Sequence, residues 1–529
     1  MLLSDVLAGR TALGSLTLPT RSDLRHRLLT GRAAMSIDRR ARLVHDAAGD
    51  EHPFDLLVLA TGAAARIPSV PGLALEHADG EPALPVGAHA LRTLDDVAEI
   101  IARSDHVAAA VVVGAGVLGV EVAAGLAVRG LAVTLAAHGG VMDRQFAPAA
   151  AAVAARRLRV AEVTVLTEVS TEQVLLADGA MCGIRLRPTG SAAGPPIDLA
   201  AGLLVLACGT TPEVGLAVAA GLPVEHGVLV DADLASPTDS SVCAIGDCAQ
   251  PLEGSSGLIA QGWEQSRRLA VRIVTELDAD AAAPSAEIVG AATGSTATTS
   301  AAAPSGATPS AWPASPTDVV KVKGDGLDLV AFGVSAPGGG GPTGAPGGGA
   351  AGSTRSVTLS DPEGGRHLEV VLAGDRVIGG TCIGGGQVTA DLVSAYLRRT
   401  PVPTDPAQLL VRSVVAAPEV VNPTRMPDHT TVCTCNAVSK GEIVACWVGG
   451  GRSVAEVAAT TRATTGCGSC TAVVCGLLDW LQESDPDDAA PGYLPETPSA
   501  PAGNPPLVAS SGFRPMTHGV PSHQFQGST

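Results

Sequence analysis

Four cysteines have the residue type and spacing to hold metal. The stretch "TVCTCNAVSK" (431–440) sets Cys433 and Cys435 on either side of one threonine, and "TTGCGSC" sets Cys467 and Cys470 with two residues between them. Thirty-one residues separate the two pairs, enough for a helical hairpin. Four thiolates are the ligand set of a [2Fe–2S] centre, two per iron, and each pair is close enough in sequence to serve one iron. A zinc site of four thiolates is the alternative, but zinc knuckles usually leave two or more residues between ligands where this chain leaves one. Buried free thiols are the third reading, and it is the one taken for Cys446 and Cys475, which fall on expected helices.

A second constellation is made of glycines. "AAVVVGAGVLGVEVAAGLAVRGLAVTLAA" (109–137) reads strand, glycine turn, helix, strand. Gly114 makes the tight turn, Gly116 lets a pyrophosphate approach the backbone, and Gly119 lets helix and strand pack closely, so that phosphate charge sits on the helix N-terminus. The second strand is expected at Ala132–Ala136. The acidic residue that commonly ends that strand and binds a ribose is replaced by Ala137 and His138, which leaves the choice between NADH and NADPH open.

These groups need a scaffold, and aliphatic runs supply it. "FDLLVLATG" ends at Gly62 and "AGLLVLACG" at Gly209; each reads as a strand buried on both faces of a parallel sheet, closing on a glycine turn. Two α/β units of similar build follow, and 529 residues leave room for three or four domains in all. Only 2% of residues are aromatic against 46% hydrophobic, so burial rests on Ala, Val and Leu. The net charge of −18 argues against nucleic acid or an anionic membrane as partner. "MLLSDVLAGRTALGS" has no secretory pattern, and the most apolar stretch, from Val107, carries Glu121 and several glycines where a membrane span wants neither. A cytoplasmic protein is expected, its eleven cysteines ligands or core residues rather than disulfides. Residues 278–316, rich in Ala, Ser, Thr, Pro and Gly, read as a flexible linker, 335–353 as a glycine-rich disordered loop and 483–529 as a disordered tail, with a small α/β domain over 317–400.

The strand end Ala60-Thr61-Gly62, the internal glycine turn and "SVCAIGDCAQ" (241–250), in that order, resemble the pyridine-nucleotide-dependent flavoprotein reductases, in which an FAD domain is interrupted by an NAD(P) domain. The resemblance implies two Rossmann-like dinucleotide-binding domains in an α/β fold. The FAD-binding domain would cover 1–105 and 225–277, lacking its first βαβ unit, and the inserted NAD(P)-binding domain 106–224. FAD would be held partly by Thr61, Gly62, Gly246 and Asp247, the last on the ribityl chain. A helix N-terminus would bring Trp263 and Gln265 close to the flavin, and Glu121 would lie near the nicotinamide. Cys243 and Cys248 have the spacing of a redox disulfide, but Gly246 and Asp247 are engaged inside that loop and disulfide reductases carry their pair near the chain start, so that reading is set aside.

Residues 428–482 resemble the BFD-like helical [2Fe–2S] domain found in NAD(P)H nitrite reductase large subunits, and the small domain and "MDRQFAP" (142–148) are similar to parts of those enzymes. No cysteine follows Cys475, so the sirohaem half of such a subunit is not expected. The resemblance thus implies an electron-transfer flavoprotein. Electrons would run from NAD(P)H through FAD to a [2Fe–2S] cluster on Cys433, Cys435, Cys467 and Cys470, and on to a catalytic nitrate or nitrite reductase subunit. A general NAD(P)H-dependent reductase serving rubredoxin or ferredoxin, and a flavin-less [2Fe–2S] sensor or scaffold, are the other readings.

Overall fold

The computed structural model describes residues 3–11, 16, 28–76, 82–190, 194–282, 319–322, 324, 326–334, 354–411, 426–433, 438–464 and 470–484. The expected linker beyond 282, the glycine-rich loop, the tail beyond 484, Cys435 and Cys467 lie outside them.

Five short strands form a parallel sheet in the order Val163–Leu166, Ala132–Ala136, Ala109–Val113, Leu203–Leu206, Ala88–Ala90. The wholly aliphatic strands Ala109–Val113 and Leu203–Leu206 take central places, as such runs must when both faces are covered. Successive side chains alternate between faces. Ala110, Val112, Leu203 and Val205 join the core under the helices α1 (Leu3–Leu7), α2 (Leu94–Ser104), α3 (Val117–Val128) and α4 (Pro148–Val160). Val111, Leu204 and Leu206 instead meet Val174, Met181, Ile184 and Leu186 of an antiparallel meander, Val169–Ala177, Ala180–Pro188 and Ile197–Ala200. Thr93 and Asp96 form a reciprocal capping box that starts α2. Helix α3 is apolar on all sides and buried from Gly119 through Leu126, because the sheet, α1 and the strand Val319–Val322 surround it.

In the unit expected to bind FAD, Leu57–Leu59 pairs in parallel with Asp239–Ala244. Leu59, Val228, Val242 and Ala244 share a core with residues of α5 (Gly215–Ala219) and α6 (Ile259–Ala282). The chain passes between the two units as an antiparallel pair, Ala63–Ala65 with Thr210–Pro212.

Several limits differ from expectation. Ala88–Ala90 and α2 belong to the parallel sheet and its helical layer, although the expected FAD segment runs to 105. Ala217 of α5 and Leu222 pack in the flavin-side core, although the expected inserted unit runs to 224. Both shifts follow from pairing and packing partners distant in sequence. Double burial holds for Leu203–Leu206 but not for Leu57–Leu59, the last strand of its sheet, where Val58 is 36% exposed. Helix α6 continues through Ala282, so 278–282 are helical and not linker; the Ala and Asp residues there extend a helix already begun.

The small unit is an antiparallel sheet, Val319–Val322, Leu329–Gly333, Arg376–Ile383, Arg366–Ala373, Thr354–Asp361. One face packs on α7 (Gln387–Arg398) through Phe332, Leu368, Val370 and Cys382. From the other face Leu329, Ala331 and Ile383 join the core of α3 and α4. Arg157 of α4 donates from Nε to Gly365 O at 2.7 Å and from Nη1 to Gly326 O at 2.5 Å, and Arg156 pairs with Glu363 at 2.8 Å.

The cysteine-bearing unit sets a hairpin, Thr431–Cys433 with Val438–Ser439, against α8 (Lys440–Val448), α9 (Val454–Thr461) and α10 (Thr471–Ser484). Capping boxes Ser439/Glu442 and Ser453/Glu456 start α8 and α9. Ile443, Val457, Val474 and Leu477 fill its core, each stabilising by roughly 1.5–3 kcal/mol. Helix α10 ends at Ser484, just inside the expected tail. Among the described residues no helix is long and apolar enough to cross a membrane.

Candidate functional site

The three glycines of the turn each meet a different physical demand. Gly114 has φ +105°, a left-handed conformation, and a Cβ there would fall 2.4 Å from Ala207 O. At Gly119 a Cβ would stand 1.8 Å from Gly114 O and 3.3 Å from Ala207 Cβ, which is the close packing of helix on strand. Around Gly116, the N-cap of α3, a Cβ would meet nothing within 4 Å, and no side chain caps the helix. An uncapped helix N-terminus with open space at its N-cap residue fits a pyrophosphate. Met142 N–H donates to Ala115 O at 2.8 Å and seats the 142–148 segment beside the turn. Ala137 is buried and His138 exposed where the ribose carboxylate commonly stands. Glu121 is buried on α3, its Oε2 accepting from Ser4 Oγ of α1 at 2.6 Å.

The flavin-side residues come together through a guanidinium. Asp247 lies in the 3-10 turn Gly246–Cys248, and its Oδ2 accepts from Arg92 Nη2 at 2.5 Å. Arg92 Nε donates to Ala63 O at 2.7 Å, so one side chain ties the Asp247 loop to the segment after Gly62. Thr61 Oγ1 donates to Glu213 O at 2.6 Å and Glu213 N–H to Gly62 O at 2.9 Å, locking that segment to the return crossing. Gly62 (φ +73°) and Gly246 (φ +74°) are both left-handed, with no atom within 4 Å of a Cβ at either, so their turns open onto free space beside a carboxylate. That donor set and room fit the hydroxyl chain of a flavin cofactor. Buried Gln265 accepts from Gly246 N–H at 2.7 Å and so holds the loop from beneath, while Trp263 lies exposed near the start of α6. Sequence reasoning passes over Arg92. Its signal is its place directly before the Thr93/Asp96 capping box, whose geometry fixes where the preceding side chain departs.

The thiols divide by surroundings. Cys433 and Cys470 are buried in the same small core, flanking its helices; Cys435 and Cys467 are the two ligand candidates outside the described residues. Among the described residues no group of three or more His, Cys, Asp and Glu is placed to hold a metal ion. Two sulfurs from the expected ligand set within one apolar core fit a buried cluster. Cys446 is buried on α8 and Cys475 half-buried on α10. Cys243 and Cys248 are free; the Cys248 thiol donates to Ile245 O at 3.3 Å, and burial pushes the Cys243 thiol up, opposed by the nearby Arg272. Burial pushes the Cys382 thiol up to about 12, leaving it unreactive.

Residues 11–271 match the pyridine nucleotide-disulphide oxidoreductase family, and residues 431–480, which contain all four candidate ligands, match the BFD-like [2Fe-2S] binding domain. The chain is 28% identical over 488 residues to the nitrite reductase [NAD(P)H] large subunit of Klebsiella oxytoca, covering 90% of this chain and 44% of that protein. It is 27% identical over 493 residues to the assimilatory nitrate reductase electron transfer subunit of Bacillus subtilis (strain 168), covering 92% of this chain and 55% of that protein. The chain thus spans about half the length of these curated relatives. The covalent putidaredoxin reductase–putidaredoxin complex shares the fold, with a TM-score of 0.57 at 23% identity over 78% of this chain and 87% of that one. FAD, NAD(P)H and a [2Fe–2S] cluster are the cofactors these modules carry. The chain is an oxidoreductase built from a region that matches the pyridine nucleotide-disulphide oxidoreductases, residues 11–271, and a BFD-like [2Fe–2S] binding domain, residues 431–480.

Proposed function

We propose that this chain takes electron pairs from NAD(P)H and delivers them singly to a separate catalytic subunit that reduces nitrate or nitrite. When bound, the nicotinamide supplies a hydride, the flavin splits the pair and the cluster carries one electron at a time, so each NAD(P)H yields NAD(P)+, a proton and two electrons. The open N-terminus of α3 at Gly116 binds the pyrophosphate of the nicotinamide cofactor, with Gly114 and Gly119 shaping the turn. Asp247 holds the flavin chain between the Gly62 and Gly246 turns, Arg92 positions its carboxylate, and Gln265 fixes the loop. Glu121, backed by Ser4, faces the nicotinamide end. Cys433, Cys435, Cys467 and Cys470 ligate the iron. A cytoplasmic setting, where thiols stay reduced, suits such ligands.

The observation that carries this reading is the bridge from Arg92 to both Ala63 O and Asp247. It supports one site on the flavin side, in the same chain as an open dinucleotide turn and a buried cysteine pair. The relatives' names supply nitrate and nitrite. The test is the absorption spectrum of the purified protein with and without NADH and NADPH, alongside iron, sulfide and zinc analysis. Flavin and cluster bands that bleach together, followed by reoxidation on adding a catalytic nitrate or nitrite reductase, are expected. Zinc in place of iron and sulfide, or bands that no nicotinamide bleaches, refutes the proposal; reoxidation by rubredoxin or ferredoxin alone refutes the acceptor.

A further inference from the structure

Among the described residues, a ring contact joins the unit that carries Asp247 to the cysteine-bearing unit. The guanidinium carbon of Arg462 lies over the ring of Trp263, 5.6 Å from its centroid. Each partner sits next to one end of the proposed electron path. Trp263 is in the opening turns of α6, where Gln265 accepts from Gly246 N–H and a Cβ on Gly262 would come within 3.7 Å of Gly246 Cα. The start of α6 is therefore packed against the Asp247 loop. Arg462 is the C-cap of α9, and the chain runs from it directly into Cys467 and Cys470.

Two features set this pair apart from incidental surface contact. Arg462 has φ +67°, a left-handed cap that glycine would occupy without strain, yet the position carries a long cationic side chain aimed at another unit. Trp263 is one of four tryptophans in the chain and is 41% exposed, on a helix whose neighbouring positions Glu264 and Arg267 pair with each other. A ring left partly open at the surface, with a guanidinium over its face, is the geometry in which a cation is attracted to the ring quadrupole.

We infer that Trp263 and Arg462 form the docking contact that holds the cysteine-bearing unit against the flavin side, and that Arg462 is a positioning residue for electron transfer between them. This rests on the function proposed above. The two electrons from each NAD(P)H cross the contact one at a time, and the proton is released to solvent. A cation–π contact at a partly exposed site shifts a docking equilibrium on the order of two- to five-fold, so the cluster-reduction rate should change by that factor when the cation is lost.

The test uses the full chain labelled with fluorotryptophan and compares Arg462→Gly with Arg462→Lys. Glycine suits the left-handed cap, so loss of folding does not confuse the result; lysine keeps the cation. Fluorine NMR, with the Trp263 resonance assigned from Trp263→Phe, should show that signal moving in Arg462→Gly and returning towards its original position in Arg462→Lys. Stopped-flow mixing with NADH should show flavin bleaching at the unaltered rate, and cluster reduction slowed two- to five-fold in Arg462→Gly and recovered in Arg462→Lys. An unmoved Trp263 resonance overturns the contact. A moved resonance with unaltered cluster reduction overturns its part in transfer. Protein that holds no cluster refutes the earlier proposal instead, and the fluorine spectrum still decides whether the contact exists.

Discussion

Substituting Gly119 with alanine separates the packing of the dinucleotide turn from its ligand chemistry. The new methyl would start 1.8 Å from Gly114 O, so α3 must move by more than an ångström to reach an ordinary contact. It cannot retreat freely, because α1 and the strand Val319–Val322 cover its outer side. Forcing a methyl into such a site costs about 1–3 kcal/mol; 2 kcal/mol is about a thirty-fold change in the folding equilibrium. The same movement would carry the helix N–H groups away from a bound phosphate, so nucleotide affinity should fall together with stability. Gly116→Ala is the control: the backbone (φ −72°) suits alanine and no protein atom is near, so the loss is at most about 1 kcal/mol of capping, yet the methyl occupies the ligand's space. Urea denaturation and calorimetric titration with NADH and ADP-ribose measure both quantities. Gly119→Ala should lose stability and affinity together, Gly116→Ala affinity almost alone. A Gly119→Ala protein of normal stability that binds NADH normally, or equal destabilisation by both variants, refutes the reasoning.

Cys433→Ser should lower iron and sulfide per chain to less than half, whereas Cys446→Ser, in the same core, should lose stability and keep its iron; metal analysis of the two proteins decides. Arg157→Ala removes two guanidinium hydrogen bonds to the carbonyls of Gly365 and Gly326, where a Cβ on Gly384 would fall 2.3 Å from Nη2. It should weaken docking of the small unit by about 2 kcal/mol, seen as earlier protease cleavage within 354–383. Burial pushes the Glu369 carboxyl up from its ordinary value, opposed by the Thr358 hydroxyl, so between the unfolded and folded values the folded state binds more protons. Stability is then greatest below the unfolded value and falls as pH rises through the folded one; Glu369→Gln should remove that slope in urea titrations between pH 4 and 8, and an unchanged slope would place its origin elsewhere.

Local backbone geometry was legible in the sequence. The roles of Gly114 and Gly119 could be read because their spacing encodes a left-handed turn and a close approach, and both are present as φ +105° and a 1.8 Å clearance. Strand Leu203–Leu206 was legible because an unbroken aliphatic run is stable only when covered on both sides. What periodicity cannot carry is partner choice. Ala88–Ala90 precedes the glycine turn yet pairs with Leu204–Leu206, beyond the meander, so the unit boundary moved. Arg92 and Asp247 are 155 positions apart, and no local pattern announces that a guanidinium will span them. Gln265 is expected beside the flavin from its place near the start of a helix; that its amide oxygen also accepts from Gly246 N–H is fixed only once α6 has packed under the loop.

The placement of the small unit bears on how firmly the glycine turn at 114–119 is held. A helix N-terminus holds phosphate well only if the helix cannot slide when charge arrives, and a single sheet face leaves half of a helix free. Here α3 is backed twice. Val6 and Leu7 of α1 close one side, so near that a Cβ on Gly125 would touch Ala8 at 3.5 Å. Val320, Val322, Leu329 and Ile383 bring a second sheet against the layer of α3 and α4, and Arg156 and Arg157 pin it from α4. The consequence is visible in composition: a helix written VLGVEVAAGLAV has no solvent face to spend on charge, and its one acid, Glu121, is met by the Ser4 hydroxyl. Burial on every side from Gly119 through Leu126 thus fixes the helix that follows the glycine turn, as the proposed nucleotide site requires.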